Sequence, residues 1–207
     1  MIKEIIDKEK QTKLSPDDVL NDLMAGNERF TNKNMHERDY SSQIDKTSGG
    51  QWPQAVVLSC IDSRVPVETV FDQGVGDIFV ARVAGNFENT DILGSMEYSC
   101  KVAGSKLVLV LGHEACGAVK AACDHVELGN ITHLLSNIKP AVEATQTDGE
   151  RSSKNDSFVA GVVENNVKLT MNRIREKSPI LNEMEKNGEI KIVGGVYSIS
   201  TGKVSLL

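Results

Sequence analysis

Two short stretches of unbroken apolar sequence constrain this chain more than anything else in it: Ala55-Val56-Val57-Leu58, and Leu107-Val108-Leu109-Val110-Leu111 just after Lys106. A strand with one wet face alternates apolar and polar residues. These do not, so they read as strands buried on both faces, the pattern of a parallel sheet covered by helices above and below. Asp77-Ile78-Phe79-Val80-Ala81-Arg82-Val83 is a further strand candidate.

The segments between them carry helical spacing. Thr90 to Cys100 places Ile92, Leu93 and Met96 on one face, with Asn89 or Thr90 as cap and Gly104 near the exit. Ala118 to His125 reads as a helix after the Leu107 strand, and Phe158 to Lys177 as a long one interrupted by Ser178-Pro179, with a short helix following to Asn187-Gly188. Strand pattern restarts at Ile190-Lys191-Ile192-Val193. Val196 to Ile199, Thr201-Gly202 and Val204 to Leu206 read as a terminal hairpin. The expected class is α/β: a central, mostly parallel β-sheet flanked by helices, with an N-terminal helical arm and a C-terminal antiparallel strand or hairpin.

The arm begins with a helix start at Ser15-Pro16-Asp17-Asp18, where Ser15 caps, Pro16 suits the first helical position and the aspartates complement the helix dipole. That helix is expected to reach about Gly26. Asn27 to Gly50 is polar, with Phe30 and Met35 as its few large apolar residues. Residues 1–50 are therefore read as an arm belonging to a single domain and lying on a partner chain, and residues 51–207 as the core. Ala144 to Ser157 is a loop. A length of 207 residues suits one domain.

A formal charge of −6, from 23 basic and 29 acidic residues, argues against a uniformly basic nucleic-acid or anionic-membrane surface. No run approaches the ~20 apolar residues of a membrane helix, and Met1 to Lys8 lacks the apolar stretch of a secretory leader. The four cysteines, Cys60, Cys100, Cys116 and Cys123, are too few and too unevenly spaced for a disulfide framework. A cytoplasmic location follows as the expectation, or the periplasm if a leader was removed.

Ligands of an open parallel sheet bind beyond the carboxyl ends of its strands, and two such ends here are rich in reactive side chains. One strand runs into Cys60-Ile61-Asp62-Ser63-Arg64, the other into Gly112-His113-Glu114-Ala115-Cys116-Gly117. If those strands are neighbours, Cys60, His113 and Cys116 meet, and two thiolates with one imidazole form a zinc set that leaves a fourth position open for catalysis. Each cysteine alone reads more readily as a small buried hydrophobe. Cys100 and Cys123 fall on helical patterns and are read as core thiols.

Other motifs fail on spacing. Pro66 stands where a phosphatase-type cysteine loop needs arginine, Gly117 where a zinc-protease helix needs its second histidine. Gly74-Val75-Gly76 leads into a strand rather than a helix, so it is a turn and not a dinucleotide site.

The paired motifs Cys-x-Asp-x-Arg at 60–64 and His-x-x-Cys-Gly at 113–117 resemble those of the β-class carbonic anhydrases. Phe79 to Asn86, Glu97-Tyr98 and Gln51 resemble the family pattern as well, and the similarity runs from Ser15 onward. The resemblance implies a zinc lyase, one Zn²⁺ per subunit, that interconverts CO₂ and bicarbonate. Zinc lowers the pKa of a bound water so that hydroxide exists near neutral pH; carbonic anhydrases with three imidazole ligands are the familiar example. Two thiolates neutralise the ion formally, so something else must support the hydroxide. Asp62 is expected to accept its hydrogen bond, and Arg64 to hold Asp62 ionised and off the metal.

Some family members let this aspartate close on zinc, and those commonly carry a tryptophan three residues before the first cysteine. Val57 stands there, so the open form is expected. The resemblance further implies that Gln51 donates to substrate and that Phe79 and Tyr98 wall the pocket, often from the neighbouring subunit of a homodimer or larger assembly. Gly117, following Cys116 at a helix start, can offer its backbone N–H to the reacting anion. Two alternatives remain at this point: a hydrolase of carbonyl sulfide or carbon disulfide on the same fold, and a non-catalytic zinc-binding module.

Overall fold

The computed structural model describes Ile2 and residues 4–207; Met1 and Lys3, in the N-terminal stretch that lacks the apolar run of a leader, lie outside the described residues. The chain opens with helices α1 (Lys8–Lys13), α2 (Pro16–Thr31) and α3 (Tyr40–Thr47), then enters strand β1 (Ala55–Ser59). After β1 come α4 (Val67–Val70), β2 (Ile78–Arg82), α5 (Thr90–Glu97), a turn of π-helix (Tyr98–Val102) and β3 (Leu107–His113). Helices α6 (Gly117–Cys123), α7 (Gly129–Ser136), α8 (Lys139–Ala144), α9 (Asp156–Lys177) and α10 (Pro179–Lys186) lead to β4 (Lys191–Tyr197) and β5 (Val204–Leu206).

The strands form one sheet in the order β2-β1-β3-β4-β5. The first four are mutually parallel and β5 runs antiparallel to β4. From β1 the chain steps outward to β2, then crosses back to place β3 on the other side of β1. The winding direction therefore reverses between β1 and β3, and a doubly wound sheet binds its ligands at such a crevice.

Both faces of β1 and β3 are buried, as their unbroken apolar runs require. Ala55, Val57, Leu107, Leu109 and Leu111 pack with Val19 and Leu23 of α2 and with Val67, Val70 and Phe71 around α4. Val56, Leu58, Val108 and Val110 pack on the opposite side with Met96 of α5, Ile174 of α9 and Leu181 of α10. Each such Leu or Val contributes roughly 1.5–3 kcal/mol of burial.

The start of α2 is as the sequence suggests: Ser15 Oγ accepts from the Asp18 N–H at 3.2 Å, and the Ser15 N–H donates back to Asp18 at 2.9 Å, a capping box behind Pro16. Its end is not. The helix passes Gly26 and continues to Thr31, because Gly26 is no stop signal but the point where helix and loop touch: a Cβ there would lie 1.9 Å from the Phe71 carbonyl oxygen. The polar stretch after it also contains α3, capped by Asp39, whose side chain accepts from the Ser42 N–H.

Two further expectations are corrected. The helix expected through Cys100 is regular only to Glu97 and then widens into the π turn. The strand at 190–193 and the first strand of the terminal hairpin are one element, β4, whose pattern Gly194 and Gly195 interrupt; only its last three residues pair with β5. The short helices α1, α4, α7 and α8 lacked a legible apolar stripe.

Candidate metal centre

Ser59, the last residue of β1, lies beside Leu111 of β3, so Cys60 and His113 leave adjacent strands at the crevice. A turn with Ala115 in the left-handed region, φ 51°, brings Cys116 back to the same point as the cap residue of α6. The donor atoms of Cys60, His113 and Cys116 all lie within 4.8 Å of one another, and all three residues are buried. No other group of three potential metal ligands occurs among the described residues. Cys100 and Cys123 are buried elsewhere as free thiols.

Two observations test whether zinc fits. The sulfurs of Cys60 and Cys116 are 3.9 Å apart, against about 3.8 Å for two thiolates at 2.3 Å from a tetrahedral ion. His113 meets the Glu114 carbonyl through Nδ1 at 2.9 Å, which fixes Nδ1 as the protonated nitrogen. Its Nε2, wholly buried, has no hydrogen-bond partner, although leaving a buried polar atom unpaired costs about 1–3 kcal/mol. An unprotonated nitrogen facing two sulfurs is a donor set that fits a zinc ion.

The thiol pair has lost its symmetry. Cys60 is lowered to about 4, first by the Cys116 thiol donating to its sulfur, with burial opposing and His113, the Gly85 N–H and the Asp62 N–H assisting. Cys116 is pushed up by that same hydrogen bond, by burial and by the Cys60 charge. Both shifts have one source, the hydrogen bond that the two sulfurs share.

Asp62 sits at the edge of this cluster, Oδ2 3.8 Å from His113 Nε2. Arg64 holds it in a fork, Nε to Oδ1 at 2.9 Å and Nη2 to Oδ2 at 2.7 Å, while the Arg64 N–H also donates to Oδ1. Those hydrogen bonds outweigh burial and keep the carboxyl well below the usual carboxylate range. Arg82, to which sequence reasoning gave no role, donates to the carbonyls of Cys60 at 2.8 Å and Asp62 at 2.6 Å and so pins the loop that carries both. Its position opposite Ser59 at the end of β2 was the available signal. Gly117 opens α6 directly after Cys116.

The remaining residues lie elsewhere in the same chain. Phe79 is opposite Val56, four residues before Cys60, or about 13 Å along the strand. It meets Tyr98 edge to face, ring centres 6.2 Å apart, and the two line an open hollow of about 720 Å³ on the β2 side of the sheet. Gln51 lies in a neighbouring hollow with Trp52, Tyr98 and Val102. Within one chain these three do not join the metal ligands.

Fold and site together define a doubly wound α/β protein with a Cys₂His zinc set at its topological switch point. Residues 55–204 match the family model described as carbonic anhydrase. The chain is 36% identical over 193 residues to carbonic anhydrase 2 of Mycobacterium tuberculosis, covering 89% of each chain. It is 35% identical over 190 residues to a carbonic anhydrase of Mycolicibacterium smegmatis, again 89% of each. Among solved structures, a Coccomyxa β-carbonic anhydrase in complex with acetazolamide matches with a TM-score of 0.71 and 26% identity over 81% of this chain and 77% of that one. A tetrameric β-carbonic anhydrase of Sordaria macrospora shares the fold at 0.68 and 23% identity, over 91% and 93%. The chain belongs to the β-class carbonic anhydrases.

Proposed function

We propose that the chain hydrates CO₂ reversibly to bicarbonate and a proton with zinc held by Cys60, His113 and Cys116. The observation that carries this reading is the unpartnered Nε2 of His113 facing two thiols, beside a carboxylate locked by arginine. Zinc bound there supplies the Lewis acidity that makes a water nucleophilic near neutral pH. Asp62, held ionised, can only accept hydrogen bonds, so it orients the attacking water with a lone pair toward the carbon of CO₂. The new bond joins the water oxygen to that carbon, one C=O electron pair moves to its oxygen, and the released proton goes to buffer. Arg64 keeps Asp62 in place, and the Gly117 N–H faces the anion that forms.

Gln51, Phe79 and Tyr98 complete the pocket from a second protomer, Gln51 donating to substrate and the two rings forming an apolar wall. What supports a homodimer is the edge position of β2: its Ile78 to Ala81 are only half-buried, and Tyr98 and Val102 beside it are 53% and 70% exposed. An apolar edge strand is a template for another chain. Of the N-terminal segment, α2 packs on its own core through Val19 and Leu23, and α3, with exposed Tyr40 and Ile44, serves as the part that embraces the partner. The four free thiols suit a cytoplasmic location, and among the described residues no helix is long and apolar enough to cross a membrane.

The test is stopped-flow CO₂ hydration from about pH 6.5 to 9 on protein of known zinc content. Turnover that rises with pH and is abolished by a chelator is expected. Inert, fully metallated protein would overturn the proposal.

A further inference from the structure

Asn166 lies on α9, fifty residues after the nearest metal ligand in sequence, Cys116, and is 1% exposed. Its Nδ2 donates to the Gly85 carbonyl at 2.8 Å. The Gly85 N–H in turn donates to Cys60 Sγ at 3.4 Å. Gly85 holds a φ of +84°, and a Cβ there would lie 2.4 Å from Ile138, so the backbone reaches the sulfur only because this residue is glycine. The Asn86 N–H closes the turn onto Val83 at 3.0 Å, and Arg82 pins the other side of the loop.

We infer that Asn166 is a positioning residue for the metal centre: it fixes the peptide of Gly85 so that its N–H rests on the Cys60 sulfur. A buried asparagine on a helix otherwise lined with Val159, Val162, Val163 and Val167 is costly unless its amide is used. An N–H donor draws electron density from a thiolate. The sulfur then donates less charge to a bound cation, which leaves that cation the stronger Lewis acid, and the polarised peptide also holds the sulfur at a set angle.

The inference rests on the zinc reading above, so its test reads metal binding as well as turnover. Zinc release to a chelator would be followed in the unaltered protein, in Asn166→Leu, Asn166→Gln and Asn165→Ala, and in Ile174→Ala, which weakens the same helix far from Gly85. Asn166→Leu should lose zinc about tenfold more readily, because the freed Gly85 peptide no longer holds the Cys60 sulfur at its angle and this loss of position outweighs the stronger donation of the bare thiolate. Its cobalt-substituted form should show the sulfur-to-metal charge-transfer band at longer wavelength, and its activity should need higher pH. Asn166→Gln should recover part of each effect, while Asn165→Ala and Ile174→Ala should match the unaltered protein in release rate and band position. Should Asn166→Leu fail to fold, the cadmium-loaded unaltered protein decides: NMR coupling between the Gly85 amide proton and the metal is expected, and its absence overturns the inference. An Asn166→Leu protein that keeps its zinc and its band also overturns it. An unaltered chain that takes up no metal overturns both readings.

Discussion

Arg64 grips Asp62 by two hydrogen bonds, at 2.9 and 2.7 Å, while the same carboxylate stands 3.8 Å from the buried Nε2 of His113. The guanidinium thus decides which way a carboxylate at the mouth of a cation site will turn. A lysine offers one point charge in place of the fork.

Arg64→Ala and Arg64→Lys are both expected to lower kcat for CO₂ hydration by about 10²-fold or more, and Asp62→Asn by a similar factor, the usual range for a positioned acid–base group. Zinc content and thermal stability should hold, because the Arg64 side chain is 51% exposed and supports nothing else. Stopped-flow assays with metal analysis check this; full activity in Asp62→Asn removes the residue from the mechanism.

Removing zinc should abolish activity and lower Tm together, since buried His113 Nε2 and the two sulfurs then lose their common partner. A ligand present at a thousand times its Kd stabilises by about 4 kcal/mol. Thermal unfolding with and without chelator, followed by zinc add-back, measures the effect, and an unchanged Tm would mean that the cluster does not hold the ion.

Association through the β2 edge is testable by sedimentation. Tyr98→Arg is expected to dissociate the assembly and to cost at least about tenfold in activity, since it both breaks the face and removes a pocket wall. A wild-type chain that sediments as a fully active monomer contradicts the shared pocket.

Acid stability should depend on Asp72, which is fully buried between Arg29, 2.6 Å away, and Arg38, with the His36 N–H as a third partner. Burial raises its pKa, but the two guanidinium groups outweigh burial and leave it lowered. An unfolded aspartate therefore binds its proton more readily than this one. The contribution is complete above the ordinary carboxylate range and is lost as pH falls through the folded value. Asp72→Asn, which tolerates the φ of 48° found there, should lower stability by about 3 kcal/mol at neutral pH and flatten the loss below about pH 4. Urea midpoints across pH test both effects.

Much of this was legible in the letters. The unbroken runs of β1 and β3 announced two-sided burial because a strand has only two faces, and Ser15 announced its helix because capping is local. Gly26 misled because its reason, the Phe71 carbonyl, comes from 45 residues away. The Gly194-Gly195 break in β4 misled for a similar reason: Val167 of α9 packs closely over Gly194.

The metal site divides along the same line. Sequence alone determined which side chains can bind a cation and, through the short spacing of His113 and Cys116, that one turn can present two of them. It also placed Asp62 within reach of Arg64, a contact between residues two apart. Only the tertiary structure decided that β1 and β3 are neighbours, so that Cys60 joins the other two. It alone showed the Gly85 peptide on the Cys60 sulfur with Asn166 behind it, and Phe79 and Tyr98 lining a hollow that their own chain's Cys60, His113 and Cys116 do not share. Spacing along a chain governs contacts within a turn or a helix end, whereas which strands lie side by side is settled by burying every apolar face at once.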